Sequence, residues 1–183
     1  MTTGGSHEEL LLWLVRHAKA APDPPAGGTD HERPLAPRGR RDAAALGLRL
    51  RAGDLGFGDA SLPGLVLASS AARTTETAEK VAAALGAPLE RRRSLYYGSP
   101  TDVLTELRTL DESLRSVMVV GHNPATHELA LALLAGDDRA GRAALASFPT
   151  CAIALLRAGV TRWCDLASGA ATLAGFARPP YDG

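Results

Sequence analysis

Residues 10–17 read LLLWLVRH, in which six apolar side chains are followed directly by an arginine and a histidine. An uninterrupted apolar run of this length is typical of a strand buried on both faces of a parallel sheet. The runs at 65–68 and 117–120 have the same character, and each also leads into polar residues. The sequence therefore predicts three buried strands whose ends carry polar side chains.

Helices are predicted between and after these strands. Proline at a first helical position, glycine beyond a last turn and serine before a first turn mark their boundaries. For the second helix, Ser69 and Ser70 are the N-cap candidates. The first predicted helix covers 38–52, and the second starts at Ser70 and ends near 85. The third starts at Ser99, and the fourth runs from Pro124 through 134.

A short strand is predicted at 88–90, and the segments 152–157 and 161–166 are predicted to form a hairpin around Ala158-Gly159. Repeated strand–helix units favour a mostly parallel sheet with helices on both faces. The predicted fold class is thus α/β, a three-layer α/β/α sandwich with a mostly parallel central sheet and a C-terminal antiparallel hairpin. One domain is expected over 1–183, with an irregular tail from Phe176.

The composition excludes several classes of protein. The 183-residue chain has 20 basic and 20 acidic side chains, a balance that argues against nucleic-acid binding. No apolar run approaches the ~18 residues of a membrane span, and residues 1–9 lack the features of a signal peptide. We therefore expect a soluble cytoplasmic protein without nucleic-acid or membrane partners. Cys151 and Cys164 are expected to be reduced core thiols, with Cys164 opposite Ile153 in the hairpin.

Charged residues follow the three predicted strands, at the edge where parallel α/β sheets bind their ligands. Two arginines and two histidines are expected to meet there: Arg16, His17, Arg73 and His122. An arginine in the first turn of a helix is unfavourable, because the N-terminal end of the helix dipole is already positive. The arginines, histidines and helix N-termini would also repel one another in an empty site. A bound dianion makes each of these interactions favourable, since guanidinium groups and helix N-termini both bind phosphate oxygens. The pattern favours a phosphate pocket.

Each of these residues also has a purely structural interpretation. Arg16 could pair with a carboxylate at the sheet edge, and His17 could be a half-buried histidine with satisfied hydrogen bonds. Arg73 could be a solvated helical side chain, and His122 could cap backbone groups. Their joint occurrence at three strand ends favours the functional interpretation.

The same residues lie in motifs that resemble those of the histidine phosphatase superfamily, which includes the cofactor-dependent phosphoglycerate mutases. LVRHAKA at 14–20 resembles the Arg-His-Gly signature, SSAARTTETA at 69–78 resembles the second block, and VGHNP at 120–124 resembles the third. With RPL at 33–35 and YYGSP at 96–100, the short chain is most similar to the SixA-type phosphohistidine phosphatases.

The resemblance implies a phosphoglycerate mutase-like fold and a phosphatase that needs no metal or other cofactor. It makes His17 the nucleophile that forms a phosphohistidine intermediate. Arg16, Arg73 and His122 would bind the equatorial oxygens and neutralise their charge. The attacking nitrogen of His17 must be unprotonated, so a carbonyl near the strand end is expected to hold the proton of its other nitrogen.

The general acid is less clearly encoded. Asp30 has SixA-like spacing to the RPL motif, whereas Asp102 is expected to be a first-turn partner of its helix and Glu106 a solvated residue. Arg33 is a predicted substrate-binding residue, for which a salt bridge within the loop is an equally good interpretation. Asn123 is predicted to bind substrate, to orient its histidine neighbour or to cap the following helix, and we favour the cap.

The leading prediction is a phosphoric ester or phosphoramidate hydrolase that dephosphorylates phosphohistidine in a protein of the histidine phosphotransfer type. The absence of a strong general acid would suit this substrate, because an imidazole is a better leaving group than an alkoxide. A small-molecule phosphomonoesterase acting on a phosphorylated metabolite is the alternative. A non-catalytic phosphate- or phosphoprotein-binding module is a third, against which the nucleophile His17 argues, since a pure binder does not need it.

Overall fold

The computed structural model describes residues 9–181 and is built around a six-stranded sheet. The strand order across the sheet is β3-β2-β4-β1-β5-β6. The first four of these are parallel to one another, whereas β5 is antiparallel to both of its neighbours. The strands are β1 (Leu10–Arg16), β2 (Leu65–Ser69), β3 (Leu89–Arg92), β4 (Ser116–Gly121), β5 (Ile153–Ala158) and β6 (Ala171–Ala177).

Helices cover both faces of this sheet, which confirms the predicted three-layer arrangement. The first four follow the predicted boundaries closely, and α5 was not predicted. The helices are α1 (Pro37–Ala52), α2 (Ala72–Leu85), α3 (Pro100–Arg108), α4 (Ala125–Leu133) and α5 (Arg139–Ala144). Short 3-10 helices occur at Asp30–Glu32, Arg93–Leu95 and Trp163–Asp165.

The alternation of side chains along β1 explains why its apolar run has no polar interruption. Leu10, Leu12 and Leu14 pack into the core on the side of α3 and α4. Leu11, Trp13 and Val15 point the other way, into the core beneath α1 and α2. Because successive residues of a strand point to opposite faces, a strand covered by helices on both faces needs apolar residues throughout.

The second strand of the C-terminal hairpin is not where the sequence predicted it. β5 pairs with β6 at 171–177, and Ile153 lies opposite Ala177 rather than opposite Cys164. The segment 161–166 instead contains a 3-10 helix whose Trp163 and Leu166 are buried in the core. The irregular tail therefore starts after Ala177, two residues later than predicted.

The cysteine prediction is half right. Both thiols are free, and Cys151 is buried as expected, but Cys164 is exposed because it sits on the 3-10 helix rather than in a strand. Separately, none of the helices within residues 9–181 has the length and apolarity that crossing a membrane requires.

Candidate active site

A pocket of about 470 Å³ lies at the carboxyl ends of β1, β2 and β4. β1 ends in Arg16, Arg73 is the second residue of α2 after β2, and His122 directly follows β4. Every residue that the sequence predicted for the site lines this pocket: Arg16, His17, Asp30, Arg33, Arg73, His122 and Asn123. A larger hollow of about 630 Å³ between α5 and β6 is lined mainly by small and apolar residues, and none of the histidines that the structure describes lines it.

The ring of His17 is held in one orientation. Its Nδ1 lies 2.7 Å from the carbonyl oxygen of Ala18. A carbonyl oxygen can only accept a hydrogen bond, so Nδ1 carries the proton and Nε2 keeps its lone pair. Burial lowers the pKa of His17 to about 4; the hydrogen bond to the Ala18 carbonyl opposes this shift, and the positive charges of Arg73 and Arg16 add to it. The imidazole is therefore neutral at pH 7.

The backbone around His17 is fixed by contacts from three other segments. Its N–H donates to the carbonyl of Gly121 at 3.0 Å, and its carbonyl accepts from the N–H of Cys151 at 3.1 Å. The N–H of Ala18 donates to Oγ1 of Thr77 at 3.0 Å. These hydrogen bonds connect the end of β1 to β4, to α2 and to the segment before β5, so the histidine has little freedom to move.

Of the pocket arginines, Arg16 and Arg73 each have a donor without a partner among the described residues. Arg16 donates from one terminal nitrogen to the carbonyl of Phe148 at 2.9 Å. Arg73, only 6% exposed, donates to the carbonyl of Asp30 at 2.8 Å and forms an ion pair with its carboxylate at 3.1 Å. The Nε atom of each arginine is buried and has no partner among the described residues. Unpaired buried donors are costly, and an oxyanion in the pocket is the kind of ligand that would satisfy them.

His122 is oriented by a residue that the sequence analysis did not assign to this role. Oγ of the fully buried Ser69 lies 2.7 Å from Nε2 of His122. The rings of His122 and His17 are 5.2 Å apart, centroid to centroid. Burial lowers the pKa of His122 to about 3, with further lowering from His17 and Arg73, so this ring is also neutral at pH 7.

Asp30 lies over the pocket as an ionised carboxylate. Burial by itself would raise its pKa, but the positive charges of Arg73 and Arg33 and hydrogen bonds from Arg33 and Tyr96 together lower it. Its carboxylate is 2.7 Å from Arg33 and accepts from the hydroxyl of Tyr96 at 3.3 Å. The loop salt bridge considered for Arg33 is thus present. A lowered pKa also leaves little protonated Asp30 at neutral pH.

Two capping predictions are wrong. The N-cap of α2 is Ala71, without a side-chain cap, because Ser69 is engaged with His122 and Ser70 lies 2.9 Å from Nε2 of His31. The N-cap of α4 is Pro124, again without a side-chain cap. Asn123 donates instead to the carbonyl of Phe148 at 2.9 Å, and its Oδ1 is buried without a partner in the described part of the chain.

Asp102 behaves as predicted, whereas Glu106 is half-buried rather than solvated. Asp102 accepts a hydrogen bond from the backbone N–H of Ser99 at 2.7 Å in a capping box at the start of α3. Glu106 lies on the same helix and bonds to the hydroxyl of Ser94. Neither lines the pocket.

Three aromatic residues near the pocket were not assigned from the sequence. Tyr96 and Tyr97 line it, and His31 stacks edge-to-face on Tyr96 with a centroid distance of 4.6 Å. The YYGSP motif was the available signal for the tyrosines. Nothing local indicated His31 or the pairing of Ser69 with a histidine 53 positions away.

Comparison with known proteins agrees with this geometry. The family model of the histidine phosphatase superfamily (branch 1) matches residues 12–96. The uncharacterised protein Rv1276c of Mycobacterium tuberculosis is 38% identical over 170 residues, which cover 90% of this chain and 99% of that protein.

Solved structures give the same result. A structure assigned to the phosphohistidine phosphatase SixA of Nakamurella multipartitia has a TM-score of 0.78 and 31% identity, covering 94% of this chain and 97% of that one. The protein histidine phosphatase SixA complexed with tungstate has a TM-score of 0.70 and 25% identity, covering 90% and 94%. The chain therefore belongs to the histidine phosphatase superfamily, in its SixA-type branch, and is a phosphate-ester hydrolase.

Proposed function

We propose that this phosphatase works through a covalent phosphohistidine on His17 and that its substrate is phosphohistidine in a protein. The observation that carries the proposal is the Ala18 carbonyl on Nδ1, which leaves Nε2 of a neutral ring as the nucleophile. In the first step the unsubstituted ring nitrogen of the substrate imidazole takes up a proton, a bond forms between Nε2 and phosphorus, and the bond from phosphorus to the imidazole breaks. Water then attacks phosphorus, releasing phosphate and restoring His17.

The positive groups of the pocket would stabilise the transferring phosphoryl group. Arg16 and Arg73 enter from the ends of β1 and β2 with their Nε donors unpaired. Such fixed donors stabilise charge that develops on the equatorial oxygens without needing to reorganise during the reaction. His122, which follows β4, would donate a hydrogen bond from a neutral ring to the phosphoryl group. The tungstate in the related SixA structure supports this proposal, because tungstate is a tetrahedral oxyanion like phosphate.

The state of Asp30 supports a substrate with a good leaving group. Asp30 is the general-acid candidate from the sequence, yet its lowered pKa opposes proton donation at neutral pH. An alkoxide needs an acid to leave, whereas the unsubstituted ring nitrogen of phosphohistidine can take a proton from solvent before the bond breaks, so that the ring leaves as neutral imidazole. The pocket is thus better suited to a phosphoramidate than to an alkyl phosphate.

A second candidate, hydrolysis of small phosphomonoesters, is favoured by the same carboxyl group. Among residues 9–181, Asp30 is the one carboxylate that lines the pocket, and its side chain is 56% exposed, so an incoming ester could reach it. If Asp30 were protonated after binding, it would serve as the acid for an alkoxide.

The proposal is tested by phosphate release from a histidine-phosphorylated phosphotransfer protein in the presence of EDTA. Native protein is expected to release phosphate, whereas His17→Ala is not. His127→Ala is the matched control, because His127 lies on α4, outside the pocket, and bonds to the carbonyl of Leu145. Release by His17→Ala at the native rate would overturn the proposed nucleophile. Faster turnover of a sugar phosphate than of the phosphoprotein would favour the second candidate.

A further inference from the structure

Four rings lead from the nucleophile to the protein surface. The ring of His17 lies 5.2 Å from that of His122, which lies 5.7 Å from that of Tyr96. The ring of Tyr96 lies 4.3 Å from that of Tyr97. The first three rings are half-buried, and Tyr97 is 83% exposed. The path therefore ends in an aromatic side chain at the mouth of the pocket.

Tyr96 is held firmly at the centre of this path. Its hydroxyl donates to Asp30, the guanidinium of Arg73 lies 5.9 Å from its ring centroid, and His31 packs edge-to-face against it. Tyr97 packs its ring against Tyr96 and is largely exposed. The described residues include three exposed large apolar side chains, and of these only Tyr97 lines the pocket; the others are Leu48 and Leu62.

The proposed reaction places the leaving group at this mouth. Phosphoryl transfer requires the attacking and leaving atoms to be roughly in line with phosphorus. With Nε2 of His17 at the base of the pocket, the leaving atom must point away from it, toward solvent. The group attached to that atom leaves through the mouth of a pocket that Tyr96 and Tyr97 line.

We propose that Tyr97, supported by Tyr96, forms the contact surface for the leaving imidazole of a phosphohistidine substrate; this inference rests on the function proposed above. Aromatic rings attract one another in edge-to-face and offset arrangements with centroids about 4.5–7 Å apart, which matches the spacing along the path. The unsubstituted ring nitrogen of phosphohistidine takes up a proton before the bond to phosphorus breaks, and an aromatic face also attracts the resulting cation. An alkyl alcohol offers neither interaction, so Tyr97 sets the preference for an imidazole leaving group.

The test compares two substrates that share a phosphorus–nitrogen bond: a phosphohistidine peptide and phosphoramidate, which has no ring. In Tyr97→Ala, the ratio of kcat/KM for the peptide to kcat/KM for phosphoramidate is expected to fall about fivefold, corresponding to about 1 kcal/mol. Tyr97→Phe keeps the ring and is expected to restore the ratio. Leu48→Ala is the control, because Leu48 is 64% exposed on α1, outside the pocket, and the ratio is expected to stay at the native value.

Two results would overturn the inference, and they are distinguishable. An unchanged ratio in Tyr97→Ala, with native protein active on the peptide, would remove Tyr97 from the leaving-group contact while leaving the proposed function intact. Failure of the native protein to hydrolyse the peptide, with phosphoramidate or esters turned over, would refute the proposed substrate and the imidazole contact together.

Discussion

Two adjacent serines that each contact a histidine provide a matched pair of substitutions. Ser69 contacts Nε2 of His122 at 2.7 Å, and Ser70 contacts Nε2 of His31 at 2.9 Å. Only the first of these histidines lines the phosphate pocket. Substitution of either serine by alanine removes one hydroxyl and changes neither charge nor backbone, so the difference between the variants reports on the histidine that each hydroxyl orients.

The magnitude for Ser69→Ala follows from its burial. Ser69 is fully buried, so the variant leaves an imidazole nitrogen unpaired in the interior, at a cost of about 1–3 kcal/mol in the free energy of unfolding. The ring of His122 would also lose its fixed orientation. Removing a group that hydrogen-bonds to a functional histidine and orients it typically lowers activity about 10- to 100-fold, and we expect kcat to fall by a factor in that range. KM should change less, because both arginines remain in place.

The assay is steady-state phosphate release from the histidine-phosphorylated protein, with urea unfolding measured on the same preparations. Ser70→Ala is expected to lower kcat less than about threefold, since Ser70 contacts a histidine outside the pocket and its loss removes one hydrogen bond. The reasoning is refuted if Ser69→Ala keeps native kcat while folded, or if Ser70→Ala loses as much activity as Ser69→Ala.

Three further predictions address protonation, the loop over the pocket and packing. His17 is expected to titrate with an NMR midpoint near 4, and a midpoint near 6.5 would contradict its buried neutral state. Because the unfolded chain takes up this proton at about pH 6.5 and the folded chain only near pH 4, the free energy of unfolding should fall as pH falls across that interval, and less steeply in His17→Asn. Asp30→Asn should free Arg73 and tighten tungstate binding in calorimetry while phosphohistidine turnover stays within about threefold; a loss of about 100-fold or more would instead identify Asp30 as the general acid. Gly39→Ala should lower the free energy of unfolding in urea titrations by about 1–3 kcal/mol, because a Cβ there would lie 2.2 Å from the carbonyl oxygen of Lys19, a clash that outweighs the helix propensity of alanine; a more stable variant would show that the contact relaxes.

The parts of the fold that could be predicted are those in which burial dictates residue type. β1, β2 and β4 are covered on both faces, so their sequences are apolar throughout and stand out. Parallel strands place their carboxyl ends at one edge, and this brings Arg16, His17, Arg73 and His122 together from three segments that lie between positions 16 and 122. The position of the site can therefore be predicted from the order and direction of the strands, without knowing the side-chain conformations.

The errors arise where tertiary contacts override local pattern. Residues 161–166 look like a strand because Trp163 and Leu166 are apolar, yet these side chains are buried from a 3-10 helix. β6 is an edge strand of mostly small and half-exposed residues, and its sequence ATLAGFA has no clear alternation of apolar and polar residues. Its pairing with β5 also shifts in register next to Leu155. Likewise, a serine at a strand end is a good N-cap, and only the approach of His122 from β4 shows that the hydroxyl of Ser69 is used elsewhere.

The covalent role of His17 is tested most directly by rapid-quench analysis of the native protein with a phosphohistidine substrate labelled at phosphorus. We predict transient label on the peptide that contains His17, stable in alkali and lost in acid, which decays as free phosphate appears and is absent in His17→Ala. Release of phosphate by the native protein with no label on His17 at any time, or equal labelling of His17→Ala, would contradict the mechanism.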